Sequence, residues 1–137
     1  MVVYTGGTFD VPHFGHVNFL RQCAKIGEVV VSLNTDKFVK KYKGEKPLFS
    51  YEERSKLLRL SGYVSHVIEN VGGSDSKPAI SSVKPNFIAI GTDWATKDYY
   101  KQMDFTQDWL DFLGITLIYI PYTDIISTTE IKRRCKL

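Results

Sequence analysis

Cysteine is scarce: Cys23 and Cys135 are the two in 137 residues. They stand far apart and in no metal-like spacing, so neither a disulfide framework nor a thiolate metal site is expected. Both read as thiols of a reducing cytoplasm. Long hydrophobic runs are missing too. No stretch reaches the 18 uninterrupted apolar residues of a membrane span. The N-terminus lacks the basic, then apolar, then small pattern of a secretory signal, which makes a cytoplasmic location the expectation. Charge of one sign is also lacking. Lys and Arg number 18 against 15 Asp and Glu, a net charge of +3, too mild to argue for nucleic acid as a partner. No internal repeat, low-complexity tract or second domain is visible. What remains is a chain with 43% apolar residues. That suits one globular domain, residues 1–137, which buries about two-thirds of its unfolded surface.

Apolar runs alternate with helical patterns. Val2–Thr5, Glu28–Leu33, Val64–Ile68, Phe87–Ile90 and Ile115–Ile120 read as strands. The second of these is a β-branched run of the kind buried in a parallel sheet. Phe14–Lys25 carries apolar residues at helical spacing, and Gly27 suits its end. Asn34-Thr35-Asp36 can cap a short helix running toward Tyr42. Ser50 followed by Glu53 forms a capping box for a helix that stops near Gly62. Pro78–Val83, Phe105–Leu113 and Ser127–Arg134 are further helices. This alternation predicts an α/β fold, a five-stranded parallel sheet with helices on both faces. Such sheets bind ligands beyond the carboxyl ends of their strands. Gly6–His16, Asn34–Asp36, Gly91–Trp94 and Pro121–Ser127 all fall at such ends.

The first of these segments carries the most chemistry. Paired glycines, Gly6 and Gly7, suit a tight turn. His13 and His16 then open a helix, whose free N–H groups and dipole favour anions. Residues three apart share a helix face, so both imidazoles can meet one ligand, and Gly15 between them removes a side chain that would crowd it. Asp10 can stabilise the turn, orient a histidine or meet Mg²⁺. The hydroxyls of Ser127, Thr128 and Thr129 precede a helix and can cap it, hold phosphate oxygens, or do both. Lys37, Lys40, Lys41, Lys43 and Lys46 form a basic stretch. Its loop, Lys43–Leu48, can close over a phosphate. Gly91-Thr92-Asp93-Trp94 reads as a turn with a helix cap. Tyr99, Tyr100, Phe105, Trp109 and Phe112 suit a core or subunit interface, and His66 a structural or surface position.

Gly7-Thr8-Phe9-Asp10 followed by His13-Phe14-Gly15-His16, with Ile126-Ser127-Thr128-Thr129-Glu130-Ile131-Lys132 near the other end, resembles the two signatures of the cytidylyltransferase-like nucleotidyltransferases. Within that superfamily the chain is similar to the glycerol-3-phosphate cytidylyltransferases, and next to the sugar-phosphate adenylyltransferases. The resemblance implies a Rossmann-like domain that transfers CMP from CTP to a small phosphorylated acceptor and releases pyrophosphate. It implies catalytic roles for His13, His16, Lys43, Lys46 and Arg54. Nucleotide-binding roles fall to Thr8, Phe9, Asp10, Gly15, Asp93, Trp94, Ser127, Thr128 and Thr129. Asp93 would accept from the exocyclic amine of the base, cytosine or adenine alike. Ser127, Thr128 and Thr129 would hold the β- and γ-phosphates. Mg²⁺ would bind through the nucleotide phosphates, and the chain would form a homodimer. No nucleic-acid or membrane partner is implied.

A phosphate oxygen is nucleophilic at neutral pH, so such a reaction needs positioning and charge stabilisation, not a covalent intermediate. The chain departs from the cytidylyltransferase pattern in places. That pattern reads Arg-Thr-Glu-Gly before Ile-Ser-Thr-Thr; here Tyr122-Thr123-Asp124-Ile125 stands there. Gly62 also replaces an arginine, and Ala95–Asp108 is longer than its counterpart. These changes bear on the acceptor more than on the reaction. An adenylyltransferase acting on a sugar phosphate and a non-catalytic nucleotide-binding module are the alternatives.

Overall fold

Val29, Val30 and Val31 are each no more than 6% exposed, so this β-branched run has no solvent face and must lie between two layers. The computed structural model describes residues 1–91, 103–121 and 128–136, with Thr128 and Thr129 given by backbone alone. Its strands are β1 (Val2–Gly7), β2 (Glu28–Leu33), β3 (His66–Glu69), β4 (Phe87–Gly91) and β5 (Thr116–Ile120). Its helices are α1 (Phe14–Ala24), α2 (Asp36–Lys43), α3 (Tyr51–Leu60), α4 (Lys77–Val83), α5 (Gln107–Leu113) and α6 (Thr128–Cys135).

The sheet is parallel throughout, in the order β3-β2-β1-β4-β5. Register pairs Val3 with Val29 on one side and with Phe87 on the other. Alternation along β1 then sends Val3 and Tyr4 into different cores. Val3 joins Leu20, Cys23, Leu58 and Ile120 under α1 and α3. Tyr4 joins Ala79, Ile80, Phe105 and Leu110 under α4 and α5. Helices therefore cover both faces, as the alternating pattern predicts. Successive strands are added on opposite sides of β1, so the strand order reverses there. The carboxyl ends of β1 and β4 consequently flank a crevice, where such sheets hold ligands.

Boundaries shift by one or two residues, and three of the shifts matter. Gly6 and Gly7 belong to β1, not to the turn after it. The cap of α2 is Thr35, whose hydroxyl accepts from Phe38 N at 3.1 Å. His66 opens the edge strand β3 and is exposed, which suits a surface role. Of the aromatic stripe, Phe105 is buried and Phe112 is 87% exposed. Cys23 is buried and Cys135 exposed, both free. Among the described residues no helix is long and apolar enough to cross a membrane.

One departure from the family-like pattern has a backbone cause. Gly62 follows α3 with φ of +84°, a left-handed position that favours glycine over arginine. A Cβ there would meet nothing within 4 Å, so the cost of substitution is conformational and not steric. Gly62→Arg should lower unfolding free energy by about 1 kcal/mol, and Gly62→Asn by less, measured by denaturant titration.

Candidate active site

β1 carries the chain to the carboxyl edge, and the segment 8–13 folds back tightly to start α1. Phe9 and Val11 have φ of 50° and 48°. Left-handed backbone at a β-branched valine is strained and needs surroundings that hold it. The glycines contribute differently from the expected turn. A Cβ on Gly7 would stand 3.0 Å from the Phe9 ring, so Gly7 permits a close approach. Asp10, between the two left-handed residues, holds them in place. Its carboxylate is 5% exposed. It accepts from Val11 N (3.1 Å), Leu48 N (2.9 Å), Phe49 N (3.1 Å) and Lys132 Nζ (2.7 Å). Burial works against its charge, but Lys132 and the two distant amides outweigh it and hold the carboxyl below its usual range.

His13 is the N-cap of α1 and His16 its third residue. The Nδ1 atom of His13 accepts from Gly15 N at 3.1 Å, and that of His16 accepts from His13 N at 3.3 Å. The two form a capping box, a device ordinarily built from Ser or Thr with Glu or Gln. Their rings stack with centroids 3.9 Å apart, and Phe9 lies 5.1 Å from His16. Because both Nδ1 atoms act as acceptors, each neutral ring carries its proton on Nε2. Burial, and then the neighbouring His13, push His16 down to about 3. Burial lowers His13 as well. At neutral pH the helix start therefore presents two uncharged imidazoles, each with its Nε2–H donor unpartnered among the described residues.

The resemblance gives Arg54 a phosphate-contacting role, and the structure places it behind the carboxyl edge. Its side chain is fully buried in α3. Nε donates to Phe49 O (3.0 Å), Nη1 to Thr8 O (2.7 Å) and Asn34 O (2.9 Å), and Nη2 pairs with Asp36 Oδ1 (2.7 Å). In this structure it is a strut behind the site, with four of its five N–H donors given to the chain itself. Thr8 is drawn into the same network. Its Oγ1 accepts from Asn34 Nδ2 at 3.0 Å and lies 3.0 Å from the Tyr42 hydroxyl. Asn34 Oδ1 in turn accepts from Asn70 Nδ2 at 2.8 Å.

Asn70 leads to a cleft of about 320 Å³ beyond the ends of β2 and β3, lined among others by Lys37, Phe38, Lys41 and Glu69. The Asn70 Oδ1 atom is buried without a partner among the described residues. Lys43 and Lys46 are exposed, Lys43 ending α2 and Lys46 in the connection to α3. Asp93, Trp94 and Ser127 lie outside the described residues, as do the side chains of Thr128 and Thr129. The start of α6 is nonetheless brought to the histidine turn, because Lys132 reaches Asp10 from the next helical turn. Reading the sequence placed Asn34–Asp36 at the carboxyl edge and Lys132 in the second signature, but gave none of them its partner, and it missed Asn70, which no local signal marks.

The cytidylyltransferase-like family model matches residues 4–134. Glycerol-3-phosphate cytidylyltransferase of Bacillus subtilis (strain 168) is 34% identical over 131 residues, 95% of this chain and 93% of that protein. FAD synthase of Pyrococcus abyssi is 39% identical over 92 residues, 66% of this chain and 62% of that protein. The chain thus spans less than two-thirds of the latter relative. The lipopolysaccharide core biosynthesis protein from Thermoplasma volcanium GSS1 shares the fold with a TM-score of 0.70 at 28% identity, covering 90% of this chain and 96% of that one.

Two outcomes test this geometry. Arg54→Met orphans three backbone carbonyls and should cost about 3 kcal/mol of stability in chemical denaturation. Arg54→Lys should recover only part of it, since a point ammonium cannot span the same acceptors. His16, ordinarily near 6.5, is held at about 3 in the fold. As pH falls below 6.5 the unfolded chain binds a proton that the folded chain refuses, so stability present above 6.5 is lost toward pH 3. Between pH 7 and pH 5 the wild type should lose about 2 kcal/mol more than His16→Gln, a variant that keeps a capping-box residue at this position.

Proposed function

The chain belongs to the cytidylyltransferase-like family, and we propose that it is a nucleotidyltransferase passing CMP from CTP to a small phosphorylated acceptor, glycerol 3-phosphate or similar. A phosphate oxygen of the acceptor attacks the α-phosphorus, the bond to the β-phosphate oxygen breaks, and pyrophosphate leaves. The observation that carries this reading is the stacked pair of neutral imidazoles at the start of α1. Each keeps an Nε2–H donor, and donors already fixed by the fold stabilise charge building on a phosphoryl group without reorganising.

The other residues have roles in the same proposal. Lys43 at the end of α2 and Lys46 in the connection after it neutralise phosphate oxygens. Asp93 reads the base amine beside Trp94, and Ser127, Thr128 and Thr129 hold the leaving pyrophosphate at the start of α6. Among the described residues no cluster of three or more His, Cys, Asp or Glu could hold a metal ion, and Asp10 is already engaged by four donors. A Mg²⁺ carried by the nucleotide phosphates asks for no such cluster, and when bound it neutralises charge on them. Lys37 and Lys41 of the cleft would meet the acceptor's phosphate, with Glu69 beside them for a hydroxyl. A cytoplasmic homodimer is part of the proposal.

A second reading is adenylyl transfer, and the FAD synthase relative favours it. Pyrophosphate release with CTP or ATP against glycerol 3-phosphate, sugar phosphates and flavin mononucleotide decides between the two. The expected active pair is CTP with glycerol 3-phosphate or a similar small acceptor. Release with ATP alone replaces this reading by the second, and release with no pair leaves a non-catalytic nucleotide-binding module. In the active pair, His16→Gln should lower kcat by about 100-fold or more while the circular dichroism spectrum stays unchanged.

A further inference from the structure

Lys132 stands on α6, one turn after Thr128. Its ammonium lies 2.7 Å from Asp10 Oδ2, a contact across 122 positions of the chain. The neighbouring Arg133 and Arg134 take another course and pair with Glu130 at 2.6 and 3.1 Å on the same helix. Asp10 therefore gathers three segments onto one buried carboxylate. They are its own turn through Val11 N, the end of the lysine-bearing connection through Leu48 N and Phe49 N, and α6 through Lys132. The histidines and the start of α6 come from opposite ends of the sequence. A phosphate chain spanning both needs their spacing set by something other than local structure.

We propose that Asp10 and Lys132 form a clasp that fixes the start of α6 against the histidine turn, with Lys132 a positioning residue for nucleotide binding. The inference rests on the nucleotidyl-transfer reading above. A charge-assisted bond to a buried carboxylate is strong and directional. The same carboxylate braces the left-handed pair Phe9 and Val11, so the clasp joins the strained turn to the helix. Phosphates held at the start of α6 are present in the ground state and the transition state alike. Losing the clasp therefore weakens nucleotide binding more than it slows chemistry. The histidines, acting on charge that develops at the α-phosphate, show the opposite split.

Calorimetric titration of CTP and of ATP, each with Mg²⁺, into the wild type, Lys132→Met, Lys132→Arg, Asp10→Asn and the Asp10→Asn/Lys132→Met double variant tests this. Lys132→Met should bind the preferred nucleotide about tenfold more weakly, with kcat changed by less than about threefold, and Lys132→Arg should restore binding. Asp10→Asn should also weaken binding, and the double variant should be no weaker than the worse single one. Tighter binding by Asp10→Asn overturns the clasp, because it marks Lys132 as a phosphate ligand that Asp10 restrains. Unchanged affinity in Lys132→Met overturns it as well. A wild type that binds neither nucleotide overturns the nucleotidyl-transfer reading and the clasp's role in it. Amide exchange separates these failures. Faster exchange of α6 amides in Lys132→Met reports the contact with no nucleotide present, and unchanged exchange overturns it.

Discussion

A buried guanidinium organises the carboxyl edge of this sheet. Arg54 gives up its hydration entirely, which is tolerable only because the fold supplies acceptors in a fixed fork around it. Those acceptors are Thr8 O just after β1, Asn34 O just after β2, Phe49 O just before α3, and the Asp36 carboxylate in the first turn of α2. Three segments of the chain, the ends of β1 and β2 with the helix start after the latter and the entry to α3, are thereby held to one point. Exposed loops lack apolar surface to pack, so a charge hub does here what the valines of β2 do in the core.

The site in front of that hub is built on the same logic. The turn from β1 into α1 places two non-glycine residues in left-handed backbone, and such strain persists only where neighbours over-determine it. Asp10 does so with four donors, three of them backbone amides. His13 and His16 spend their Nδ1 atoms on closing the helix start, which fixes both ring orientation and tautomer. The Nε2–H atoms that remain are oriented donors in a half-buried, uncharged pair. Cationic histidines would attract phosphate from a distance. In the proposed reaction, neutral, fixed ones are suited instead to charge that appears only as the phosphoryl group transfers.

Much of this was legible in the chain. Short apolar runs marked the strands, because a parallel strand inside the sheet is buried on both faces, and helical spacing marked α1, because a helix buries one stripe. The alternation of the two marked a parallel sheet, and His13 with His16 three apart marked a shared helix face. Ser50 and Glu53 announced the start of α3 through a local capping box, observed with both hydrogen bonds in place. Roles that depend on partners remote in sequence were not legible. Arg54 reads like any helix arginine until Thr8 and Asn34 are placed beside it. Gly6 and Gly7 read as a turn, yet the left-handed positions fall to Phe9 and Val11. Lys132 closes the second signature, yet nothing beside it in the chain says that it meets Asp10.

The sequence by itself determined the fold class and the family, and put two imidazoles at one helix start, since these rest on short-range patterns and on residue types. Tertiary structure alone decided which charges became struts and which remained for a ligand. Pairing Arg54 with Asp36 and Asp10 with Lys132 costs the buried Arg54 and Asp10 their water. Whether that cost is offset depends on how many acceptors and donors converge at one point, and that number is a property of the folded geometry, not of any local stretch of chain.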